Sequence, residues 1–408
     1  MMSSNTLEAL TPTGSFRMAY SSTVFNQVLT FIPRAQFKGF VHMHQGDRYV
    51  KKLTTWNQFV ALLYAQATGK DSLREIETGL ALHEESWKHL GVQSVARSSL
   101  SYANNHRDYR IFEGLFYEVL SQCKTVTVEK KFSFDNPLYS LDATVIRLCL
   151  SLFDWASYTK TKGALKLHTL FNNRTQLPEV VVTTDGRVGD NTAGKSMDLA
   201  TRLNRGDILV ADRAYVDYRE WRKLNDAGIY FVSRVKSSMH IDVVGIHRQT
   251  TDSRVIADER ILIGEHNGTE KYPDTLRRVR ILDSTSGELR EYVTNNMTLS
   301  AQDIALIYKQ RWQIELFFKW IKQNLKIKTF LGISKNAVLT QIWVAMIYYL
   351  LLAYIKFQTK FSKSLLELTR MVREVLFVRR SFIDLLSLDS TTVVRFIEPP
   401  NPQLTLGL

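Results

Sequence analysis

The chain has 408 residues, 45% hydrophobic and 23% charged, ordinary values for a globular protein and enough for two or three domains with a sizeable core. Lys and Arg number 53 against 40 Asp and Glu, an excess of +13 that suits a polyanion or an anionic surface as partner. With two cysteines, Cys123 and Cys149, a disulfide-built secreted fold is excluded and a reducing cytoplasm is expected.

Residues 1–22 are polar, lack the basic-then-apolar order of a signal peptide, and are expected to be disordered. Residues 23–130 have a mostly helical pattern. "TTWNQFVALLYAQATG" gives an apolar-faced helix stopping at Gly69, and the stretch from Ser94 to Leu120 reads as two helices split near Asn104-Asn105. Arg97, Arg107, Tyr109 and Arg110 lie around that split. They could touch a DNA backbone or serve a plain helical hairpin.

From Leu138 the period changes. "LYSLDATVIRLCLSLF", "GALKLHTLFN" and "LPEVVVTTDG" read as three strands, with a turn at Asp185-Gly186. A helix from about Gly194 to Leu203 precedes the strand "DILVAD", and a helix from Val216 to Ala227, stopped by Gly228, precedes "IYFVSRVK". The order predicts a mixed α/β layer with a meander of three strands followed by two parallel ones. Residues 238–298 return to strands and turns, with a hairpin around Ser286-Gly287. The apolar run Ile342–Ile355 is too short for a comfortable membrane span of about 20 residues and reads as a buried helix. Residues 356–408 are expected to be helical, then a disordered tail.

Between these blocks lies "LSAQDIALIYKQRWQIELFFKWIKQNLKIK", which has the spacing of one amphipathic helix capped by Ser300 and Asp303. At roughly 100° per residue, Arg311, Glu315 and Lys322 fall within about 60° of Tyr308. Ile307, Ile314, Phe317, Phe318, Ile321 and Leu325 form a separate apolar stripe. A solvated i,i+4 pair would account for Arg311 and Glu315 alone.

Two further acids could meet this helix. Asp142 sits inside the first strand and Asp212 ends the fourth, where a buried carboxylate is costly unless paired, solvated or holding a metal. If those strands are neighbours, both point at one spot to which a helix could add Glu315. A site of oxygen ligands without multiple Cys or His suits Mg²⁺ or Mn²⁺, and two such ions can serve phosphodiester cleavage.

The run Tyr308, Arg311, Glu315, Lys322 resembles the signature of the DDE transposases of the insertion-sequence-four family, a bacterial cut-and-paste group with a ribonuclease-H-like core. "LDATVIRL" resembles that family's first-Asp strand and "VADRAYVD" its second-Asp segment, with Ala214 where Gly is usual. The resemblance covers about 135–350. It implies an α/β fold, a ribonuclease-H-like mixed sheet with a β-rich insertion before the Glu-bearing helix, plus N- and C-terminal helical regions. The corresponding blocks are a helical DNA-binding region at 23–130, a first core part at 135–237, the insertion at 238–298, a core completed at 299–355, and a C-terminal region beyond.

The same resemblance implies Asp142, Asp212 and Glu315 as catalytic, metal-binding residues, with Tyr308, Arg311 and Lys322 on DNA phosphate. It also implies two Mg²⁺ or Mn²⁺ ions per site, double-stranded DNA (terminal repeats and target) as partner, a hairpin intermediate, and a homodimer in the DNA complex. No membrane partner is expected.

Trp312 could stack on a base or pack against the insertion. Lys319 and Lys326 could add phosphate contacts or be solvated, and Arg213 could touch DNA or pair with an acid. His168 reads as a structural histidine. Asp154, Asp185 and Asp190 are rival acids, the last two in turn-like sequence. "FVRRSF" near Arg379 reads as a solvated basic pair. Two rival functions remain: an inactive or repurposed transposase-derived DNA-binding protein, and a carboxylate-based glycosidase, which has no evident use for the cations around Glu315.

Overall fold

In the computed structural model, the residues described are 22–87, 90–92, 94–149, 151–156, 163–264, 272–283, 286–325 and 330–386. The expected disordered start, the tail beyond 386 and Lys326 therefore lie outside the described residues.

The N-terminal region folds as α1 (Val24–Leu29), α2 (Arg34–Met43), α3 (Thr55–Thr68), α4 (Leu73–Leu82), α5 (Glu84–Trp87), α6 (Arg97–His106) and α7 (Arg110–Val126). α3 stops at Gly69, which takes the left-handed conformation at φ 75° that terminates helices without a Cβ penalty. The break between α6 and α7 falls at Arg107–Tyr109, three residues past the Asn pair. Arg107 is the reason. Its guanidinium donates to Gly46 O at 3.0 Å, to Gln58 Oε1 at 3.1 Å and to Leu53 O. It is an internal tie between helices, not a surface contact for DNA.

β1 (Leu138–Leu148), β2 (Gly163–Asn172) and β3 (Leu177–Asp185) form the expected antiparallel meander. β1 ends at Leu148, so Cys149 and Ser151–Phe153 are not strand, and residue 150 lies outside the described residues. The single helix expected from Gly194 is two short ones, α8 (Asp190–Ser196) and α9 (Leu199–Arg202), because Asp198 adopts φ +46° between them. β4 (Ile208–Ala211) and β5 (Tyr230–Arg234) are joined by α10 (Tyr218–Asp226), which Asp217 caps by accepting from Arg219 N and Glu220 N. β4 and β5 run parallel, as the patterning predicts, and β1 joins them by pairing parallel with β4.

The β-rich segment supplies β6 (Ile241–Ile246), β7 (Val255–Ile263), β8 (Leu276–Leu282) and β9 (Leu289–Thr294). It does not stand apart. β9 pairs antiparallel with β5, so one sheet of nine strands runs β3-β2-β1-β4-β5-β9-β8-β7-β6. The Ser286-Gly287 hairpin joins β8 to β9, with Gly287 at φ +71°.

After the sheet come α11 (Ala301–Gln310), α12 (Trp312–Asn324), α13 (Lys335–Gln358), α14 (Leu365–Val375) and α15 (Phe382–Leu386). α11 seats Ala301, Ile304 and Ile307 on β4, β5 and β8 through Ile208, Val210, Val232 and Val279. α12 seats Ile314, Phe317, Phe318 and Ile321 in the core shared with β1–β3 and the helical region. The opposite sheet face is covered by α8–α10, where Trp221 stacks on Phe231 at 4.5 Å. The mixed α/β layer is what the patterning predicts, and the structure adds that helices cover both of its faces.

α13 contains the apolar run Ile342–Ile355. It is long and apolar enough to cross a membrane by length and composition, yet it is apolar on every side because it is surrounded, packing on α7, α3, α6 and α14.

Candidate active site

The parallel pairing of β1 and β4 ends with Leu141 opposite Ala211. The next residues are Asp142 and Asp212, so the register carries both carboxylates to adjacent positions at the C-terminal end of the parallel pair. Asp142 remains in β1, opposite Thr169 of β2, and its Oδ1 accepts from Ala143 N at 2.8 Å. Asp212 lies just past β4, where its Oδ1 accepts from Arg213 N at 2.5 Å and caps a short 3-10 turn.

Glu315 reaches this point through Arg311. One guanidinium joins the two acids: Nη1 lies 3.3 Å from Asp142 Oδ2, and Nη2 lies 2.6 Å from Glu315 Oε1. Arg311 Nε is buried and has no hydrogen-bond partner among the described residues, so the fork is not saturated by its two carboxylates. The Tyr308 ring sits beside the same guanidinium, 5.5 Å from its Cζ, and stacks at 5.1 Å on Tyr292 of β9. Burial raises the Tyr308 hydroxyl above its ordinary value, with nearby Arg311 acting against the shift.

Burial also pushes the Asp142 carboxyl up to about 6. The Ala143 N–H and Arg311 hold it down, and the charges of Glu315 and Asp212 raise it further. Among the described residues no three acids or His/Cys side chains are drawn close enough to hold a metal ion together. Arg311 lies between two of the expected ligands.

The helix carrying these groups is not continuous. Arg311 separates α11 from α12, its N–H turning back to Tyr308 O at 3.1 Å while Ile314 N bonds Arg311 O at 3.2 Å. The freed carbonyl of Gln310 accepts instead from Asn173 Nδ2 at 2.7 Å. Asn173 Oδ1 in turn accepts from Ser140 Oγ at 2.8 Å, and both side chains are fully buried. Ser140 precedes Asp142 by two residues, hence shares its face of β1. A buried polar chain thus ties the helix break to the strand carrying the first Asp.

A second tie fixes the start of α11. Arg277 and Asp258, 0% and 2% exposed, pair through two bonds of 2.7 Å. The guanidinium also donates to Asn296 O at 3.2 Å and Leu299 O at 2.6 Å, just ahead of the Ser300 cap.

Beside the carboxylates opens a groove of about 480 Å³ between α11–α12 and the β8–β9 hairpin. Trp312, 55% exposed, lines it with Tyr308, Arg311, Arg234, Arg254 and Arg290. The last three lie far from the signature run, and only their basic character in strand-like sequence could have marked them. Lys319 is exposed on the outer face of α12 and Lys322 is half-buried. Arg213 is exposed beside Asp212.

Two of the rival acids are engaged elsewhere. Asp190 pairs with Lys166 at 3.0 Å, and Asp185 with Lys335 at 3.5 Å. His168 is fully buried between Thr184 Oγ1, at 2.9 Å, and the Tyr215 hydroxyl, at 3.4 Å. Burial pushes it down to about 4, so it is a neutral structural histidine.

A mixed sheet of this order with helices on both faces and carboxylates at the ends of neighbouring strands is a ribonuclease-H-like transposase fold. A family model described as Transposase DDE domain matches residues 133–351. The chain is 31% identical over 290 residues to a protein of Sinorhizobium fredii named as a transposase, covering 70% of this chain and 79% of that one. It is 30% identical over 303 residues to one from Geobacillus stearothermophilus named for insertion sequence element IS5377, covering 73% and 76%. It is 24% identical over 299 residues to one from Synechocystis named for insertion sequence element IS4SA, covering 71% and 81%. The chain belongs to the DDE transposases. A separate family model, described only as a domain of unknown function, matches residues 20–93.

Proposed function

We propose that this transposase, of the insertion-sequence-four type, works by cut and paste on its own mobile element, and that Asp142, Asp212 and Glu315 are its catalytic triad. The observation that carries this reading is the adjacency of Asp142 and Asp212 on parallel strands, with Glu315 joined to Asp142 through Arg311.

The donor set fits a hard divalent cation. It is made of carboxylate oxygens, and burial, with the charges of Glu315 and Asp212 adding to it, raises the Asp142 carboxyl to about 6. Asp142, Asp212 and Glu315 would hold Mg²⁺ or Mn²⁺, two ions per site. Bound there, the metal supplies activation of the attacking oxygen and stabilisation of the leaving one.

The chain's own groups do the rest. Arg311, Tyr308, Lys322 and Arg213 hold phosphate oxygens, the guanidinium suited to two of them at once. Trp312 and Tyr308 offer aromatic faces to a base displaced beside the cut. Lys319 extends the phosphate track.

Attack of water on phosphorus breaks the P–O3′ bond at the element's end and frees a 3′-OH. That hydroxyl attacks a phosphodiester of the opposite strand and displaces the 3′-OH of the flanking DNA to give a hairpin. Water then opens the hairpin, and the 3′-OH so freed attacks a target phosphodiester and displaces a target 3′-OH. Residues 23–130 and 238–298 add DNA contacts, and two copies handle the two ends together. The reaction belongs on chromosomal DNA in a bacterial cytoplasm.

The test is product mapping on DNA carrying the gene's own flanks. Denaturing gels should show nicked, then hairpin-ended, then open fragments with wild type. None should appear with Asp142→Asn, Asp212→Asn or Glu315→Gln. Equal cleavage by any of the three variants would remove that residue from the triad.

A further inference from the structure

We propose that α2 and the loop after it, residues 44–52, form a second DNA-gripping surface, separate from the carboxylate site. This inference rests on the transposase reading. It gives a role to part of the region matched only by a model of unknown function.

α2 is anchored by Phe37, its buried residue, and turns Arg34, Lys38 and His42 to solvent at i, i+4 and i+8. That row is about 12 Å long, the length of three or four phosphates on one strand rather than of a single anion. The loop continues it with exposed Arg48, Lys51 and Lys52. The nearby acid, Asp47, is engaged away from the row: its Oδ1 accepts from Thr55 N at 2.6 Å and Thr55 Oγ1 at 2.7 Å and lies 3.9 Å from Arg107 Nη2. Between helix and loop lies an open groove of about 900 Å³, where the Arg34 guanidinium lies flat on Trp56, 3.3 Å from the ring centroid.

The loop also carries backbone strain. Gln45 and Tyr49 both adopt left-handed conformations, at φ +52° and +59°, which cost non-glycine residues on the order of 1 kcal/mol or more each. Tyr49 is 86% exposed and its ring belongs to no core cluster. Its neighbour is Arg48, whose guanidinium sits 4.9 Å from the ring and donates to the hydroxyl at 3.1 Å. The fold thus holds an aromatic ring and a cation outward together at a conformational cost, without using the ring for packing. Phosphates along the cation row and a sugar or base edge against Tyr49 would use both.

The test compares wild type, Lys38→Ala/Arg48→Ala/Lys51→Ala and Tyr49→Gly for binding to labelled duplexes taken from the DNA flanking the gene. Tyr49→Gly removes the ring while suiting the left-handed backbone, so it should melt no lower than wild type. The triple variant should bind at least about tenfold more weakly at physiological salt. Its plot of log affinity against log salt should be shallower by about 2–3, while cleavage at saturating DNA stays at the wild-type rate. Tyr49→Gly should weaken binding and leave the salt slope unchanged.

Wild-type affinity and slope in both variants, alongside normal binding and cutting by wild type, would overturn this surface alone. Wild type that binds polyglutamate as tightly as duplex at equal salt would overturn it in favour of an acidic protein partner. Wild type that neither binds nor cuts the flanking DNA would remove the transposase reading and this surface with it.

Discussion

Arg311 bridges the carboxylates of two residues that lie 169 and 4 positions away from it in the chain. The four-residue spacing to Glu315 is legible in the sequence, and so is the one-face clustering of Tyr308, Arg311, Glu315 and Lys322. The link to Asp142 is not, because it depends on how far α11 and α12 slide across the sheet. Lysine at 311 would keep the charge but lose the planar fork that spans two acids. We expect Arg311→Lys to cut DNA about 10–100-fold more slowly at saturating substrate, the size of loss that follows a displaced catalytic group. Wild-type turnover in that variant would mean that the fork has no part in catalysis.

Two buried titrating groups make opposite contributions to stability in metal-free protein. His168 is held at about 4 in the fold against about 6.5 unfolded, so the unfolded chain binds more protons between those values. Stability from this group is complete above pH 6.5 and is lost as pH falls towards 4, by about 3 kcal/mol. Asp142 is raised to about 6 against about 3.9 unfolded, so the folded chain binds more protons and stability falls as pH rises from 4 to 6. Urea titrations in chelator across this range should show His168→Gln losing the rise with pH and Asp142→Asn rising more steeply than wild type. Parallel curves for all three proteins would refute both assignments.

At the level of elements, the helix with the signature residues is the clearest case of partial legibility. Its apolar stripe runs unbroken from Ile307 to Leu325, so periodicity reads one helix. The break at Arg311 comes from Asn173, in the turn after β2, which takes the Gln310 carbonyl out of the helical ladder. No local pattern encodes a partner 137 residues away. Replacing Asn173 with Leu leaves that carbonyl and the Ser140 hydroxyl buried without partners, a cost of about 1–3 kcal/mol for each unsatisfied group. The expected outcome is a lower denaturation midpoint and slower cleavage with DNA affinity retained. Unchanged cleavage would show that the break needs no latch.

Arg277→Met should cost about 3–5 kcal/mol, because it strands the Asp258 charge in the core. Arg277→Met/Asp258→Leu should recover part of that loss. A single-variant loss under about 1 kcal/mol would contradict the buried pairing. Helices α8 and α9 were blurred into one for a related reason: Asp198 enters a left-handed conformation that its residue type permits but does not announce.

For the whole molecule, the five strands of the core, the antiparallel meander and the parallel pair could be read from period and connection length. So could the burial of the apolar run in α13. Of the four strands in the β-rich segment, only one hairpin could be read. The joining of the β-rich segment to the main sheet through β5 and β9 could not, since either edge of a hairpin can pair. Nor could the meeting of insertion and helix that builds the basic groove, because Arg234, Arg254 and Arg290 come from three separate strands or turns. The N- and C-terminal helical regions share one core with β1–β3 and the helix that bears Glu315. The first aspartate and the glutamate are thereby mounted on a common frame, with Asp212 brought in by the pairing of β4 with β1.

That frame has meaning for function only if the three carboxylates act together. The most direct measurement is single-turnover cleavage of a plasmid carrying the gene's own flanks by wild type and Glu315→Gln, in Mg²⁺ and in chelator. The expected result is cutting at the flanks by wild type with metal only, and equal DNA affinity without cutting in the variant. Flank cutting that persists in chelator, or in Glu315→Gln with Mg²⁺, would contradict the account.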